Sequence, residues 1–240
     1  MKKINVDLMH FEDLNNWVRD CDDTEIFLDN CIGQRYIGAG SKGKSIIITG
    51  TPGNALGAYL DGSTILVNGN AQDATGDTMN SGRIIIDGHC GDTTGYGMRG
   101  GAILIKDDAG YRAGIHMKQY KQHVPVMVIG GKAGSFLGEY QAGGVIIVLG
   151  KGCDGKQPTG FFCGTGMHGG RMFLRCDEAP DIPPQIKAEV ATDEDKASIL
   201  SYVQEYCENF GGDAAELLKQ KFYVLTPNSS SPYKRMYTFN

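Results

Sequence analysis

The chain has 240 residues, 41% of them hydrophobic, and a formal net charge of −5. This length can bury a core as one domain with appendages, and charges of mixed sign provide no basic surface for nucleic acid. Apolar runs such as residues 145–149 are too short to cross a membrane, and the first residues lack the apolar segment of a signal peptide. We therefore expect a soluble, cytoplasmic protein without nucleic-acid or membrane partners.

The first forty residues predict a short lead-in to the main body of the chain. A helix is expected near residues 11–20, because apolar side chains recur there at helical spacing. Its apolar positions are Phe11, Leu14, Trp17 and Val18. A strand at residues 25–28 follows, so residues 1–40 are predicted to form an N-terminal helix and strand that cap the body.

Residues 41–179 repeat with a period of 19 residues. The apolar strands lie at residues 46–48, 65–67, 84–86, 103–105, 127–129, 146–148 and 172–174. A corner glycine keeps the same interval and continues after two insertions, at Gly57, Gly76, Gly95, Gly114, Gly138 and Gly164. Strands that always return to the same position must run parallel, and such corners need positive φ or close approach. The period predicts an all-β repeat fold, a single-stranded parallel β-helix of about seven 19-residue coils.

Alternation along each predicted strand separates an inner face from an outer face. The first and third apolar positions, Ile46 and Ile48 in the first strand, are predicted to lie inside, because the middle position has polar neighbours on its own face. The middle positions form an outer stripe of Ile47, Leu66, Ile85, Leu104, Val128, Ile147 and Phe173. A stripe of this size requires a cover, either a helix of this chain or a partner.

The C-terminal part supplies one candidate cover. After a proline-rich break, residues 193–210 predict a helix that begins at Thr192 or Asp193. One face of this helix carries Ile199, Val203, Tyr206, Cys207 and Phe210. A second short helix is expected at residues 214–220, and residues 180–240 are predicted to form a helical extension that packs on the body.

Two kinds of motif suggest chemistry and are better explained by structure. Residues 95–100 and 164–169 match the dinucleotide fingerprint G-x-G-x-x-G, but each leads into a strand where the fingerprint needs a helix. Asn54, Asp73 and Asp92 share one column, which resembles the acidic ladder of β-helical polysaccharide enzymes. We favour Asx-turns, in which each side chain bonds its own backbone.

The seven cysteines form no CxxC pair, which indicates reduced thiols. Cys90 and Cys163 fall in columns of small residues and are interpreted as structural. We therefore assign no catalytic, cofactor-binding or metal-binding residue to the chain.

An insertion at residues 116–124 is predicted to be a solvated loop or a loop that contacts a partner. The possible partner surface combines His116, Lys118 and Tyr120 of this loop with the outer stripe. Its stripe members are Ile47, Leu66, Ile85, Leu104, Val128 and Ile147.

Three features together resemble the GXGXG family: residues 30–38, the repeated glycine corners, and the ending at residues 227–237. That family includes the C-terminal domain of the glutamate synthase large subunit, stand-alone versions of this domain, and one of the subunits of formylmethanofuran dehydrogenase. The resemblance implies a right-handed parallel β-helix without catalytic residues. In glutamate synthase such a domain packs between the glutaminase and the FMN-containing synthase domains.

The resemblance implies a non-catalytic scaffold subunit of a glutamate synthase-like complex. Its expected partners are glutaminase-type and FMN synthase-type subunits, which would carry FMN and the iron–sulfur centre, while this chain would hold no cofactor. Self-association remains open. The alternatives are a structural subunit of a formylmethanofuran dehydrogenase-like complex and an independent β-helical enzyme that acts on polysaccharide, which would need a cleft of paired carboxylates.

Overall fold

The computed structural model describes residues 2–228, which form one mixed sheet and three helices. The strands are β1 (Lys2–Asn5), β2 (Glu25–Ile32), β3 (Ser45–Thr51), β4 (Asp61–Asn68), β5 (Ser81–Ile86), β6 (Ala102–Ile105), β7 (Val126–Ile129), β8 (Ala142–Val148), β9 (Gly169–Arg175), β10 (Ile186–Val190) and β11 (Phe222–Pro227). The helices are α1 (Phe11–Asp20), α2 (Asp193–Phe210) and α3 (Ala214–Lys219). The helices and apolar strands expected from the sequence are therefore confirmed. Part of the ending at residues 227–237 lies outside the described residues.

The sheet has the strand order β1-β2-β3-β4-β5-β6-β7-β8-β9-β11-β10. Strands β1 to β9 pair in parallel, each with the next one in the chain. Ile46 pairs with Ile65, and Ile65 pairs with Ile84, so the register follows the 19-residue repeat. Strand β11 lies between β9 and β10 and runs antiparallel to both.

The predicted fold class, a right-handed parallel β-helix of about seven 19-residue coils, is wrong. The described residues form a single mixed sheet of eleven strands, in which two strands beyond the repeat extend each end. The error has a physical cause. The repeat indicates only that successive strands run parallel. Strands β1, β10 and β11 lie outside the repeated segment, so the period gives no information about them. These strands pair through contacts that a local pattern does not encode.

The inner face of the repeat strands carries the main core. Ile46 and Ile48 are fully buried, whereas Ile47 between them is partly exposed, so the predicted alternation is confirmed. The same column continues through Ile65, Ile84, Ile103, Met127, Ile146 and Met172, all of which are fully buried. Each such side chain stabilises the fold by ~1.5–3 kcal/mol relative to exposure. The inner face packs against buried side chains of the glycine turns, among them Leu56 and Met98.

Helix α2 covers most of the outer face. Ile199, Val203 and Tyr206 of this helix form a second buried cluster with stripe residues. The stripe residues in that cluster are Ile85, Leu104, Val128, Ile147 and Phe173. The predicted start of α2 is confirmed, because Thr192 and Asp195 make a reciprocal capping box.

Polar contacts also tie α2 to the sheet. Arg83 Nε lies 2.6 Å from Glu205 Oε1, and Arg171 pairs with Asp195. Among residues 2–228, no helix combines the length and the apolar character that crossing a bilayer requires.

Candidate interaction surface

The turns between strands use positive φ at three fixed positions in each repeat. In one turn these are Ala74 (φ 57°), Gly76 (φ 70°) and Thr78 (φ 52°). The middle position has no room for a side chain: a Cβ on Gly76 would lie 2.4 Å from Ile103 Cδ1. All six corner glycines have positive φ, at Gly57, Gly76, Gly95, Gly114, Gly138 and Gly164. Glycine is needed at this position for its conformation and for the close approach of the inner face.

The position two residues before the corner glycine carries a side chain despite its positive φ. Arg112 (φ 57°), Phe136 (φ 61°) and Phe162 (φ 60°) occupy it in three successive repeats. A bulky L-residue in this region costs about 1 kcal/mol or more. The chain therefore presents large side chains at places where the backbone favours small ones.

These residues belong to a surface aromatic cluster, which we define as Tyr111, Arg112, Phe136, Phe161 and Phe162; Arg112 and Phe136 are partly buried in it. Ring centroids are 5.4 Å apart for Tyr111 and Phe136, and 5.0 Å apart for Phe136 and Phe162. Phe161 lies beside Phe162 at 6.4 Å. The two phenylalanines are 75% and 58% exposed. Adjacent apolar rings with this exposure are typical of an interaction site.

Arg112 supplies the charge of this cluster. Its guanidinium carbon lies 5.1 Å from the ring centre of Tyr111 and 5.3 Å from that of Phe136. Its Nε lies 3.3 Å from Glu139 Oε2, so the ion pair helps to hold the side chain over the rings. Aromatic and arginine side chains are the types enriched at protein interfaces.

A second aromatic stack lies in the same turns. The ring of His116 lies 5.2 Å from that of Tyr140, at an interplanar angle of 14°. The rings of Tyr96 and His116 meet edge-on, with their centroids 5.7 Å apart. The predicted partner residue His116 thus joins an aromatic row.

The insertion after His116 lines a pocket together with polar and charged residues of neighbouring repeats. Tyr120 and His123 exchange two backbone hydrogen bonds, of 3.1 Å and 2.9 Å, which closes a tight turn. The pocket has a volume of about 520 Å³. Its lining comprises Asp61, Asn80, Ser81, Arg99, Lys118, Tyr120 and His123. The structure therefore brings the predicted residues Lys118 and Tyr120 together, while His116 lies in the aromatic row.

The hydrophobic residues predicted as partner surface divide into two groups. Ile85, Leu104, Val128 and Ile147 lie beneath α2 in the second buried cluster. Ile47 and Leu66 remain partly exposed on β3 and β4.

In the column of Asn54, Asp73 and Asp92, the two aspartates bond backbone groups, but not those predicted. Asp73 Oδ1 accepts a hydrogen bond of 2.9 Å from the main-chain nitrogen of Asp92. Asp92 Oδ1 accepts one of 2.7 Å from the main-chain nitrogen of Tyr111. Both carboxylates bond the next repeat, whereas the Asx-turn hypothesis placed these bonds within their own turn. Stacking of the repeats brings the next backbone closer than a local pattern indicates.

The cysteines and the fingerprint segments are placed as the sequence predicts. The backbone of Cys90 forms parallel β-bridges with Ala71 and Ala109, the residues expected beside it in the column. Burial raises the pKa of the Cys163 thiol to about 12, which leaves it protonated. Residues 95–100 and 164–169 lead into strands β6 and β9 and open no helix. Within residues 2–228, no group of three His, Cys, Asp or Glu side chains is arranged to hold a metal.

Sequence reasoning missed all five members of the aromatic cluster as surface residues, Phe136, Phe161 and Phe162 among them. A signal for them was present, because aromatic residues stand two or three positions before the corner glycine in successive repeats. Tyr111 and Phe161 take the same position in later repeats that Asn54, Asp73 and Asp92 take in earlier ones, three residues before the corner glycine. Nothing else in the sequence distinguishes them.

One family model, one relative and one solved structure resemble this chain. The family model of the GXGXG motif matches residues 13–229. An alignment 256 positions long with an uncharacterized protein of Methanocaldococcus jannaschii has 43% identity and spans 99% of this chain and 97% of the relative. Among solved structures, a chain of the formyltransferase/hydrolase complex from Methylorubrum extorquens, in complex with methylofuran, aligns with a TM-score of 0.64 and 17% identity. That alignment covers 92% of this chain and 89% of the other, and at this identity it shows a likeness of fold.

Proposed function

Because this chain belongs to the GXGXG motif family, we propose that it is a non-catalytic scaffold subunit that binds partner chains through the aromatic cluster. The observation that carries this proposal is the exposure of Phe161 and Phe162, at 75% and 58%, next to Arg112 and Tyr111. An exposed patch of this composition is costly for a protein that works alone. A partner that covers it removes this cost.

The backbone supports the same conclusion. Phe136 and Phe162 have φ values of 61° and 60°, where asparagine or glycine is preferred. The turn imposes this conformation in every repeat, so phenylalanine at these positions carries a strain that asparagine or glycine would not. A contact that buries these rings would contribute ~1.5–3 kcal/mol for each fully covered side chain, which exceeds the local strain.

For the identity of the complex, we propose a glutamate synthase-like assembly. The sequence resemblance to the stand-alone C-terminal domain of that enzyme supports it. In this assembly the partners are glutaminase-type and FMN synthase-type subunits, and they carry FMN and the iron–sulfur centre. The role of this chain is to hold them at a set distance.

A second candidate is a formylmethanofuran dehydrogenase-like complex, in which this chain is the structural subunit. The likeness of fold to a chain of the Methylorubrum extorquens formyltransferase/hydrolase complex favours it. Both candidates place the chain in an assembly and differ only in which proteins it holds.

The test is affinity purification of the tagged full chain from its native cell at endogenous level, with identification of the proteins that co-elute. Glutaminase-type and FMN synthase-type chains are the expected result. Formyltransferase-type or dehydrogenase-type chains would instead establish the second candidate. A homomer without other proteins would overturn both.

A variant pair locates the surface. Phe161→Ser combined with Phe162→Asn removes both rings, and asparagine tolerates the positive φ at position 162. The matched control is Tyr59→Asn, because Tyr59 has the same 58% exposure as Phe162 and a φ of 57° but lies outside the cluster. Partner recovery should fall for the double variant and persist for the control. Equal recovery from both would contradict the role of the aromatic cluster.

A further inference from the structure

The pocket beneath the 116–124 insertion has an excess of positive charge. Arg99 and Lys118 stand in equivalent positions of successive repeats, 19 residues apart, and both line the pocket with His123. Neither Arg99 nor Lys118 forms an ion pair with a carboxylate of the described residues 2–228. The chain as a whole has a net charge of −5, so this is a local reversal of sign.

The single carboxylate of the pocket is already engaged. Asp61 Oδ1 accepts a hydrogen bond of 2.9 Å from the Ser81 hydroxyl, and Asp61 Oδ2 lies 3.4 Å from Lys42 Nζ. These two contacts lower the pKa of the Asp61 carboxyl below its usual range. Asp61 therefore stays ionised with Ser81 and Lys42 as its bonded partners, and the donors of Arg99 and Lys118 remain available.

The wall that carries Tyr120 and His123 is held in place. A Cβ on Gly100 would lie 3.3 Å from His123 Cβ, and a Cβ on Gly143 would lie 2.4 Å from the main-chain nitrogen of Gln119. The insertion therefore packs directly onto two glycines of neighbouring turns. The hydrogen-bonded turn between Tyr120 and His123 holds the backbone of both residues, whose exposed side chains line the pocket. The backbone around the pocket is therefore held by these contacts, while the basic side chains that line it are exposed.

We propose that this pocket binds a small oxyanion, a compound with a carboxylate or phosphate group, between the Arg99 guanidinium and the Lys118 ammonium. A guanidinium offers a planar fork of donors that matches two oxygens of such a group, and an ammonium adds a point charge. The Tyr120 hydroxyl and the His123 ring are further donors among the residues that line the pocket. A volume of about 520 Å³ admits a metabolite-sized ligand.

The test is calorimetric titration of the full chain with inorganic phosphate and, separately, with succinate. Saturable binding of at least one probe is expected, and the arm that saturates identifies the group. Arg99→Gln and Lys118→Gln should each weaken binding about tenfold or more, because each removes charge-assisted hydrogen bonds. Lys132→Gln, an exposed lysine outside the pocket, is the matched control and should leave the affinity unchanged.

The proposal is overturned by no saturable binding of either probe, by equal weakening in Lys132→Gln, or by full affinity in Arg99→Gln and Lys118→Gln. Loss of partner recovery in these two variants without binding of either probe would make the pocket a contact for acidic partner side chains, which also overturns it. The site is independent of the proposed scaffold function. The Phe161→Ser and Phe162→Asn double variant should therefore bind the probe normally.

Discussion

The hydroxyl of Tyr206 donates a hydrogen bond of 2.8 Å to the main-chain carbonyl oxygen of Lys106, which joins helix α2 to the residue that follows strand β6. Tyr206 is fully buried, and burial raises the pKa of its hydroxyl, so it remains a donor. A Cβ on Gly130 would lie within 2.1 Å of this hydroxyl oxygen, so glycine at that position makes room for the contact. The Lys151 ammonium lies 4.5 Å from the centre of the same ring.

Tyr206→Phe should lower the free energy of unfolding by about 1 kcal/mol, because the Lys106 carbonyl loses its buried donor while the ring still fills its space. Urea denaturation of the purified chain measures the difference. Tyr202→Phe is the control on the same helix, since Tyr202 is only partly buried. An equal loss of unfolding free energy in Tyr202→Phe would show that the hydrogen bond from Tyr206 to Lys106 has no particular role in holding α2.

Gly76→Ala and Gly40→Ala separate backbone strain from steric collision. Both glycines have positive φ, but a Cβ on Gly76 would meet Ile103 Cδ1 at 2.4 Å, whereas a Cβ on Gly40 would meet nothing within 4 Å. Gly40→Ala should cost about 1 kcal/mol for the conformation alone, and Gly76→Ala about 1–3 kcal/mol more for the displaced core. Thermal unfolding of the two variants gives the comparison. Equal losses of stability in the two variants would mean that the inner-face side chains move aside for the new methyl group without loss of stability.

Ile84→Asp and Ile85→Asp test the two faces of strand β5. Ile84 lies in the inner core, so an unpaired charge there should unfold the repeat. Ile85 packs beneath α2, so its substitution should release the helix while the inner core persists. Amide hydrogen exchange distinguishes these results, with loss of protection throughout the sheet in the first variant and mainly in residues 193–210 in the second. Identical exchange patterns would contradict the assignment of faces.

Asp195→Asn should make the stability of α2 less dependent on pH. Hydrogen bonding to the Thr192 backbone, together with the Thr192 hydroxyl and the Arg171 charge, lowers the pKa of Asp195. A carboxyl with a folded-state pKa below its unfolded value stabilises the fold above about pH 4, and this contribution is lost as the pH falls through the folded-state pKa.

The variant should therefore be less stable than the natural chain by about 1 kcal/mol at neutral pH, and the difference should shrink in acid. Denaturation curves at a series of pH values from about 3 to 7 measure it. A difference that stays constant down to the acid end would show that the Asp195 charge makes no contribution.

Much of this fold could be predicted, because its signals are local or periodic. Thr192 begins α2 as expected, since a capping residue and its partner at Asp195 stand three positions apart. Ile46 and Ile48 face the core because strand alternation has a period of two. The bridges of Cys90 to Ala71 and Ala109 follow from the 19-residue interval alone.

The candidate site was predicted only in part. His116, Lys118 and Tyr120 were identified because an insertion interrupts the repeat at that point. Phe136, Phe161 and Phe162 were missed, because apolar side chains usually indicate a core and a sequence does not display exposure. The outer stripe was recognised as needing a cover, but the sequence left open whether a helix or a partner provides it.

The amino-acid sequence by itself determined the repeat, the parallel register of its strands, the bounds of the helices and the inward positions, because each depends on neighbours at a fixed short interval. Only the tertiary structure decided that β11 enters the sheet antiparallel between β9 and β10, that α2 covers the outer stripe, and that the aromatic cluster stays exposed. These features depend on contacts such as that of Tyr206 with Lys106, which are 100 residues apart. No period relates such residues, so their meeting is set by packing of the whole chain.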